Sequence, residues 1–184
     1  MMELHKKGVI TGKIHCAFTL GTKELVQYST NEQIQFYPLS IVNNPVNIGK
    51  NKKMISINAC MMVDLTGQVC SESIGHYHYS STGGQLDYVF GSWLSEGGKS
   101  ILCLPSTNEM KDGSVVSTIT LNLPEGAVIT TPRSLTMNIV TEYGVARLKN
   151  RSIRDRVNAM ISIAHPDFRD SLRREAIEAG LIPT

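Results

Sequence analysis

No apolar run in this sequence approaches the length needed to cross a bilayer, and its start, Met1-Met2-Glu3-Leu4-His5-Lys6-Lys7, lacks the apolar stretch of a signal peptide. A cytoplasmic protein without membrane attachment is therefore expected. Charge of one sign is also missing: 18 Lys+Arg stand against 16 Asp+Glu, leaving +2 with His neutral. Such a balance argues against a chain built to coat nucleic acid. The 4 cysteines, Cys16, Cys60, Cys70 and Cys103, show no CxxC or Cys/His ligand spacing and lie in or beside apolar segments, so they read as buried thiols. Internal repeats, low-complexity tracts and Pro/Ser-rich linkers are absent as well. With 184 residues, 41% hydrophobic and 18% charged, the chain can bury one core, and residues 1–184 read as a single domain.

Many short β-type segments precede a helical tail, the pattern of a mixed α/β domain. Expected strands are Ile14–Leu20, Gln33–Tyr37, Met54–Val63, Val69–Ser73, Ser100–Leu104, Val115–Leu121, Ala127–Thr130 and Met137–Thr141. The continuous apolar run Ile101-Leu102-Cys103-Leu104 predicts a central strand in a sheet covered by helices on at least one face. Ser152 predicts the N-cap of a helix with an apolar stripe of Ile153, Val157, Met160, Ile161 and Ala164, its Arg154, Asp155 and Arg156 facing water. His165-Pro166 should end it and open a second helix to about Ala179, followed by Gly180. Shorter helices are expected at Thr22–Tyr28 and after Gly83-Gly84.

The chemistry-bearing stretch is Ser71-Glu-Ser-Ile-Gly-His-Tyr-His-Tyr-Ser-Ser-Thr-Gly-Gly-Gln-Leu-Asp-Tyr88. Gly83 and Gly84 carry no side chain to block a ligand, and amides at a helix entry can donate to a phosphate or an oxyanion; a plain tight turn is the competing reading. His76 and His78 alternate along one segment, but no third ligand has metal-site spacing, so no metal is expected. Lys50, Lys52 and Lys53 form one basic cluster; Lys149, Arg151, Arg154 and Arg156 form another, and such clusters read first as solvated faces, an acidic cofactor at one of them being the competing reading. Glu142 ends a strand before Gly144, a position from which α/β folds present functional groups, though by itself the residue reads first as a surface turn residue. Asp87 reads as a favourable charge near a helix N-terminus.

Taken in order, Ser71-Glu-Ser-Ile-Gly75, Gly83-Gly-Gln-Leu-Asp-Tyr88, Gly97-Gly-Lys-Ser-Ile101, Leu104-Pro-Ser-Thr107, Pro124-Glu-Gly-Ala-Val128, Val140-Thr-Glu-Tyr-Gly144 and Ile163-Ala-His-Pro-Asp-Phe-Arg169 resemble the acetyl-CoA hydrolase/CoA-transferase family, which includes 4-hydroxybutyrate and butyrate:acetate CoA-transferases. The resemblance runs from about Leu4 to Leu172 and corresponds to the C-terminal domain of a protein more than twice as long. It implies an α/β fold with a mixed sheet, helices packed on it and a C-terminal helical pair. It also implies transfer of coenzyme A between an acyl-CoA and a short-chain carboxylate through a glutamyl-CoA thioester, with acyl-CoA as substrate and no metal.

By this resemblance the Gly84 amide is an oxyanion donor, Asn43 helps hold the reacting carbonyl, and Glu142 positions the nucleophile. Coenzyme A would lie along Met61, Ser80, Gly83, Gly84 and Lys111, the lysine serving its phosphates. The nucleophilic glutamate of the family falls upstream of Met1, and so does an N-terminal domain. The resemblance thus implies a fragment, a truncated product or half of a split enzyme, inactive alone and prone to homo-oligomerise. Ser81, Phe90 and Met62 replace a glycine, an arginine and an acid of the family pattern. Acetyl-CoA hydrolysis and a catalytically silent CoA-binding module are the alternative functions.

Overall fold

A computed structural model describes residues 2–183. Helices α1 (Met2–Lys6), α2 (Lys23–Tyr28), α3 (Leu39–Val42) and α4 (Pro45–Gly49) alternate with strands β1 (Ile14–Cys16) and β2 (Ile34–Phe36) in the first part of the chain. Strands β3 (Ile55–Ala59), β4 (Met62–Asp64), β5 (Val69–Cys70), β6 (Ser73–Ile74) and β7 (Tyr77–His78) lead to α5 (Gln85–Leu94). After it come β8 (Lys99–Cys103), β9 (Thr107–Glu109), β10 (Val115–Ser117), β11 (Ile119–Thr120), β12 (Asn138–Thr141) and β13 (Gly144–Arg147), then α6 (Ile153–Ile163) and α7 (Pro166–Glu178).

The principal sheet has four strands in the order β13-β12-β8-β3. Strands β3, β8 and β12 run parallel, and β13 returns antiparallel through the two-residue turn Glu142-Tyr143. One face of this sheet carries the core. Leu102, Ile139 and Ala146 pack there with Val89 of α5 and Val157, Met160 and Ile161 of α6, all at most 2% exposed. The opposite face is bare, with Ile55 54%, Ile57 69% and Val145 55% exposed. Parallel strands are ordinarily covered on both faces, so the apolar run at Ile101–Leu104 reflects a central strand of which only one side is buried here.

The expected α/β class, the mixed sheet and the C-terminal helical pair are all present. Ser152 caps α6 by accepting from the Asp155 N–H, and Pro166 opens α7 with the His165 side chain accepting from the Asp167 N–H. Gly180, at φ +70°, takes the left-handed conformation that ends α7.

Several boundaries differ from the sequence reading. Met54–Val63 is two strands in different sheets, because the chain turns at Cys60-Met61 so that β4 can pair with β5 and β11. Val115–Leu121 divides likewise into β10 and β11. Ala127–Thr130 is not a strand: the turn closed by Ala127 N–H on the Pro124 carbonyl precedes it, and only the isolated bridge Val69–Thr131 touches the sheet there. Strand β12 stops at Thr141, so Glu142 lies in the turn and does not end the strand. Of the four thiols, Cys60 and Cys70 are buried, whereas Cys16 and Cys103 are half-buried, the latter because its side of β8 is the uncovered one. Arg156, expected in water, is 8% exposed, and Ile153 of the expected stripe is 37% exposed, so the buried face of α6 is rotated toward Arg156. No helix among the described residues is long and apolar enough to cross a membrane.

Candidate active site

Because β3, β8 and β12 are parallel, their C-terminal ends bring Met61, Ser106 and Glu142 to one edge of the sheet. Two cavities lie in this region of the fold. The larger, of about 810 Å³, is lined by His15, Cys16, Asn43, Asn58, Gly83 and Gly84 among others. This volume falls within the range of ligand pockets.

Gly84 is the N-cap of α5, with its carbonyl accepting from the Tyr88 N–H and no side chain capping the helix. The first-turn amides of α5 lack carbonyl partners within the helix, and its dipole makes this end electropositive. Asn43 presses directly on it: a Cβ built on Gly84 would stand 2.3 Å from Asn43 Nδ2. The glycine thus leaves room for the Asn43 amide in its present position, and its φ of −82° suits any residue. Gln85, the next residue, is buried and clamped: Ser71 Oγ donates to its Oε1 at 2.7 Å and its Nε2 donates to Thr131 Oγ1 at 3.0 Å. These bonds tie the start of α5 to β5 and the segment after Ile129. Glu72 holds the loop from its other end, its carbonyl accepting from the Tyr79 N–H at 2.8 Å and the Ser80 N–H at 3.3 Å.

The smaller cavity, of about 300 Å³, is apolar and lined by Met61, Met62, Ile74, Pro105, Met110 and Thr118 among others. Cys60 also borders it, and burial, with the neighbouring Cys103 and Cys70, pushes its thiol up to about 12. It is therefore a protonated wall residue at neutral pH, not a nucleophile.

The Glu142 carboxylate accepts from the Ser106 N–H at 3.0 Å and from the Ser106 hydroxyl. Ser106 itself is fully buried. The Ser106 hydroxyl, against the opposing effect of desolvation and with help from backbone amides and His165, holds the Glu142 carboxyl below its ordinary value.

Of the residues singled out from sequence, Asn43, Gly83 and Gly84 come together in the larger cleft, while Met61 lines the smaller one. Glu142 is anchored to the neighbour of the smaller cavity and lines neither. Ser80 and Lys111 are exposed and line neither cavity; Lys111 follows Met110 in the turn between β9 and β10. Sequence reasoning passed over Gln85 and Ser106, although both lie inside motifs quoted above; a polar residue directly after a Gly-Gly pair was the available signal for the first. His76 packs against the turn at Gly126, whose Cβ would stand 2.4 Å from its Nδ1. Among the described residues no group of three or more His, Cys, Asp or Glu is placed to hold a metal ion.

Residues 21–176 match the model of the acetyl-CoA hydrolase/transferase C-terminal domain. The chain belongs to this family. It is 48% identical over 184 residues to the 4-hydroxybutyrate coenzyme A transferase of Clostridium kluyveri, covering 95% of this chain and 42% of that protein. It is 46% identical over 172 residues to the succinyl-CoA:cyclohexane-1-carboxylate CoA transferase of Geobacter metallireducens, covering 93% of this chain and 39% of that one. Among solved structures, RipA from Yersinia pestis superposes with a TM-score of 0.89 at 38% identity, over 98% of this chain and 42% of RipA. The chain thus spans about two fifths of the length of the curated relatives it matches.

Proposed function

We propose that this domain forms the oxyanion and CoA-contacting half of a CoA-transferase site, exchanging coenzyme A between an acyl-CoA and a short-chain carboxylate. The observation that carries this reading is the Asn43 amide set against Gly84 at the N-terminus of α5, inside the larger cleft. Each group carries an N–H donor and both line the same cleft, and donors to a developing oxyanion are what a tetrahedral acyl-transfer intermediate needs. A glutamate carboxylate from outside this chain attacks the thioester carbonyl, and CoA leaves as its thiolate, giving a mixed anhydride. The thiolate then attacks the glutamyl carbonyl and expels the acyl group as a carboxylate, leaving a glutamyl-CoA thioester. The acceptor carboxylate reverses the two steps and leaves as the new acyl-CoA, so no net proton is needed.

Within this scheme the Gly84 N–H and Asn43 Nδ2 stabilise the oxyanions. Gly83 and Gly84 leave room for the thioester, and the apolar wall at Met61 supports the pantetheine arm. Ser80 and Lys111, both exposed, meet the more polar parts of CoA, the lysine pairing with phosphate. Glu142, its carboxylate fixed by the Ser106 N–H and hydroxyl, orients the incoming nucleophile.

The test has two parts. Coenzyme A titrated into the chain by calorimetry should release or absorb heat in a saturable 1:1 isotherm that Lys111→Ala weakens. Labelled acetate should enter acyl-CoA only after the portion of the C. kluyveri relative outside the matched region is added. Absence of CoA binding, or label transfer by the chain alone, overturns this reading.

A further inference from the structure

Among the described residues strand β3 lies at the edge of the principal sheet with only β8 beside it. The Lys99 N–H donates to the Met54 carbonyl at 2.8 Å and the Cys60 N–H to the Cys103 carbonyl at 2.9 Å. Parallel pairing alternates along the strand, so Ser56 and Asn58 bond to β8 while Ile55, Ile57 and Ala59 turn their N–H and C=O groups to the open edge. All three are exposed. The strand Ile55-Ser-Ile-Asn-Ala59 carries no charge and no proline, so it has none of the devices that blunt a natural free edge.

Next to this edge a groove of about 250 Å³ runs along Met54 to Asn58 under Tyr88. Two polar atoms of the same strand, Ser56 Oγ and Asn58 Nδ2, are buried without a hydrogen-bond partner. Asn58 also lines the larger cleft, and the other wall of that cleft is β1, through His15 and Cys16. Strands β1 and β2 form a two-stranded parallel ribbon separate from the principal sheet. Such a ribbon is marginal by itself. The Ile14 N–H donates to the Gln33 carbonyl and the Tyr37 N–H to the Cys16 carbonyl, so by the same alternation His15 directs its backbone groups away from β2. Two parallel units, each with an unused edge, therefore border one cleft.

The matched family region is a C-terminal domain, and more than half of each relative's length lies outside the match. We infer that an extended segment of the polypeptide preceding this domain in its relatives enters the cleft and pairs with the open edge of β3, joining the principal sheet toward the β1–β2 ribbon. Backbone hydrogen bonds to Ile55, Ile57 and Ala59 supply the affinity, as in strand addition generally. The inserted strand also passes Asn43 and Gly84, which places its side chains at the candidate site. This inference rests on family membership and not on the transfer chemistry.

The experiment uses the full ¹⁵N-labelled chain and, as probe, the separately expressed part of the C. kluyveri relative that lies outside the matched region. Amide exchange at Ile55, Ile57 and Ala59 should slow by about tenfold or more on mixing, while Ser56 and Asn58, already bonded to β8, change little. Ile57→Pro removes one edge donor without touching the β8 ladder and should abolish the slowing while Leu102 and Ile139 stay protected; Ala59→Pro serves if that variant does not fold. Binding of the probe with no change at these amides overturns the inference, as does no binding at all. Slow exchange at the same amides in the chain alone, accompanied by a dimer in sedimentation, assigns the edge to a second copy and also overturns it. Label transfer plays no part in this readout, so the inference and the proposed reaction can fail separately.

Discussion

The Asn43 side chain occupies the space that a side chain on Gly84 would need: a Cβ there would lie 2.3 Å from Nδ2 and 3.2 Å from Cγ. The clash falls on the far end of a short flexible side chain, and the Gly84 backbone is compatible with any residue. Gly84→Ala should therefore cost less than about 1 kcal/mol of stability, because Asn43 can swing away. Function should not survive that movement: label transfer with the complementing portion should fall about 10²-fold, the usual loss for one oxyanion donor. Gly12→Ala is the control, since a Cβ there meets nothing within 4 Å and the residue lies outside the cleft lining. Thermal melts and label transfer on the two variants decide the matter; equal activities would remove Asn43 from the oxyanion site.

Arg156 is a core residue in spite of its charge. One guanidinium nitrogen donates to the Thr66 carbonyl at 3.0 Å and to the Arg133 carbonyl at 2.8 Å, and it lies 3.1 Å from where a Cβ on Gly67 would be. Thr66 and Gly67 belong to a tight turn in which the buried Asp64 carboxylate accepts from the backbone and side chains of Thr66 and Gln68. Arg156 thus fastens α6 to that turn and to the segment before β12. Arg156→Met keeps the volume but leaves two carbonyls unpaired, and should destabilise by about 2–3 kcal/mol. Urea melts should show a lower midpoint with an unchanged slope; a shift below about 0.5 kcal/mol would mean that water replaces the guanidinium.

The sequence spoke most clearly where local chemistry decides the outcome. Ser152, Pro166 and Gly180 placed the ends of α6 and α7 because caps act within one turn of their own residue. The central strand β8 was legible from its apolar run. Arg156 was misplaced because the burial of one helix face depends on carbonyls at Thr66 and Arg133, which are distant in sequence. The break at Cys60-Met61 escaped notice for a similar reason: nothing in Met54–Val63 interrupts a strand, and only the competing partners β5 and β11 pull the second half away. At the candidate site, the Gly83-Gly84 turn was visible as a feature, but its contact with Asn43 joins residues far apart in the chain, and the family resemblance alone pointed to it.

Glu142 and Ser106 couple the ends of β12 and β8. The Ser106 hydroxyl and N–H both stabilise the ionised carboxylate, and its folded pKa lies below the ordinary value chiefly for the first of these reasons. A depressed carboxyl means that the folded state binds fewer protons than the unfolded one. Its contribution to stability is then complete above the unfolded pKa and is lost as pH falls through the folded value. Ser106→Ala should move the Glu142 pKa back up toward 4.5, followed by ¹³C NMR of the labelled carboxyl. The stability gap between native protein and variant should be constant from about pH 6 upward, narrow as pH falls from the unfolded carboxyl pKa toward the lower native Glu142 pKa, and level off below it. A Glu142 titration unmoved by the substitution would show that Ser106 does not set its charge. If the titration moves and the complementing transfer assay slows with it, the acid at the end of β12 acts as an ionised positioning group, and Glu142→Gln should reproduce that slowing at every pH.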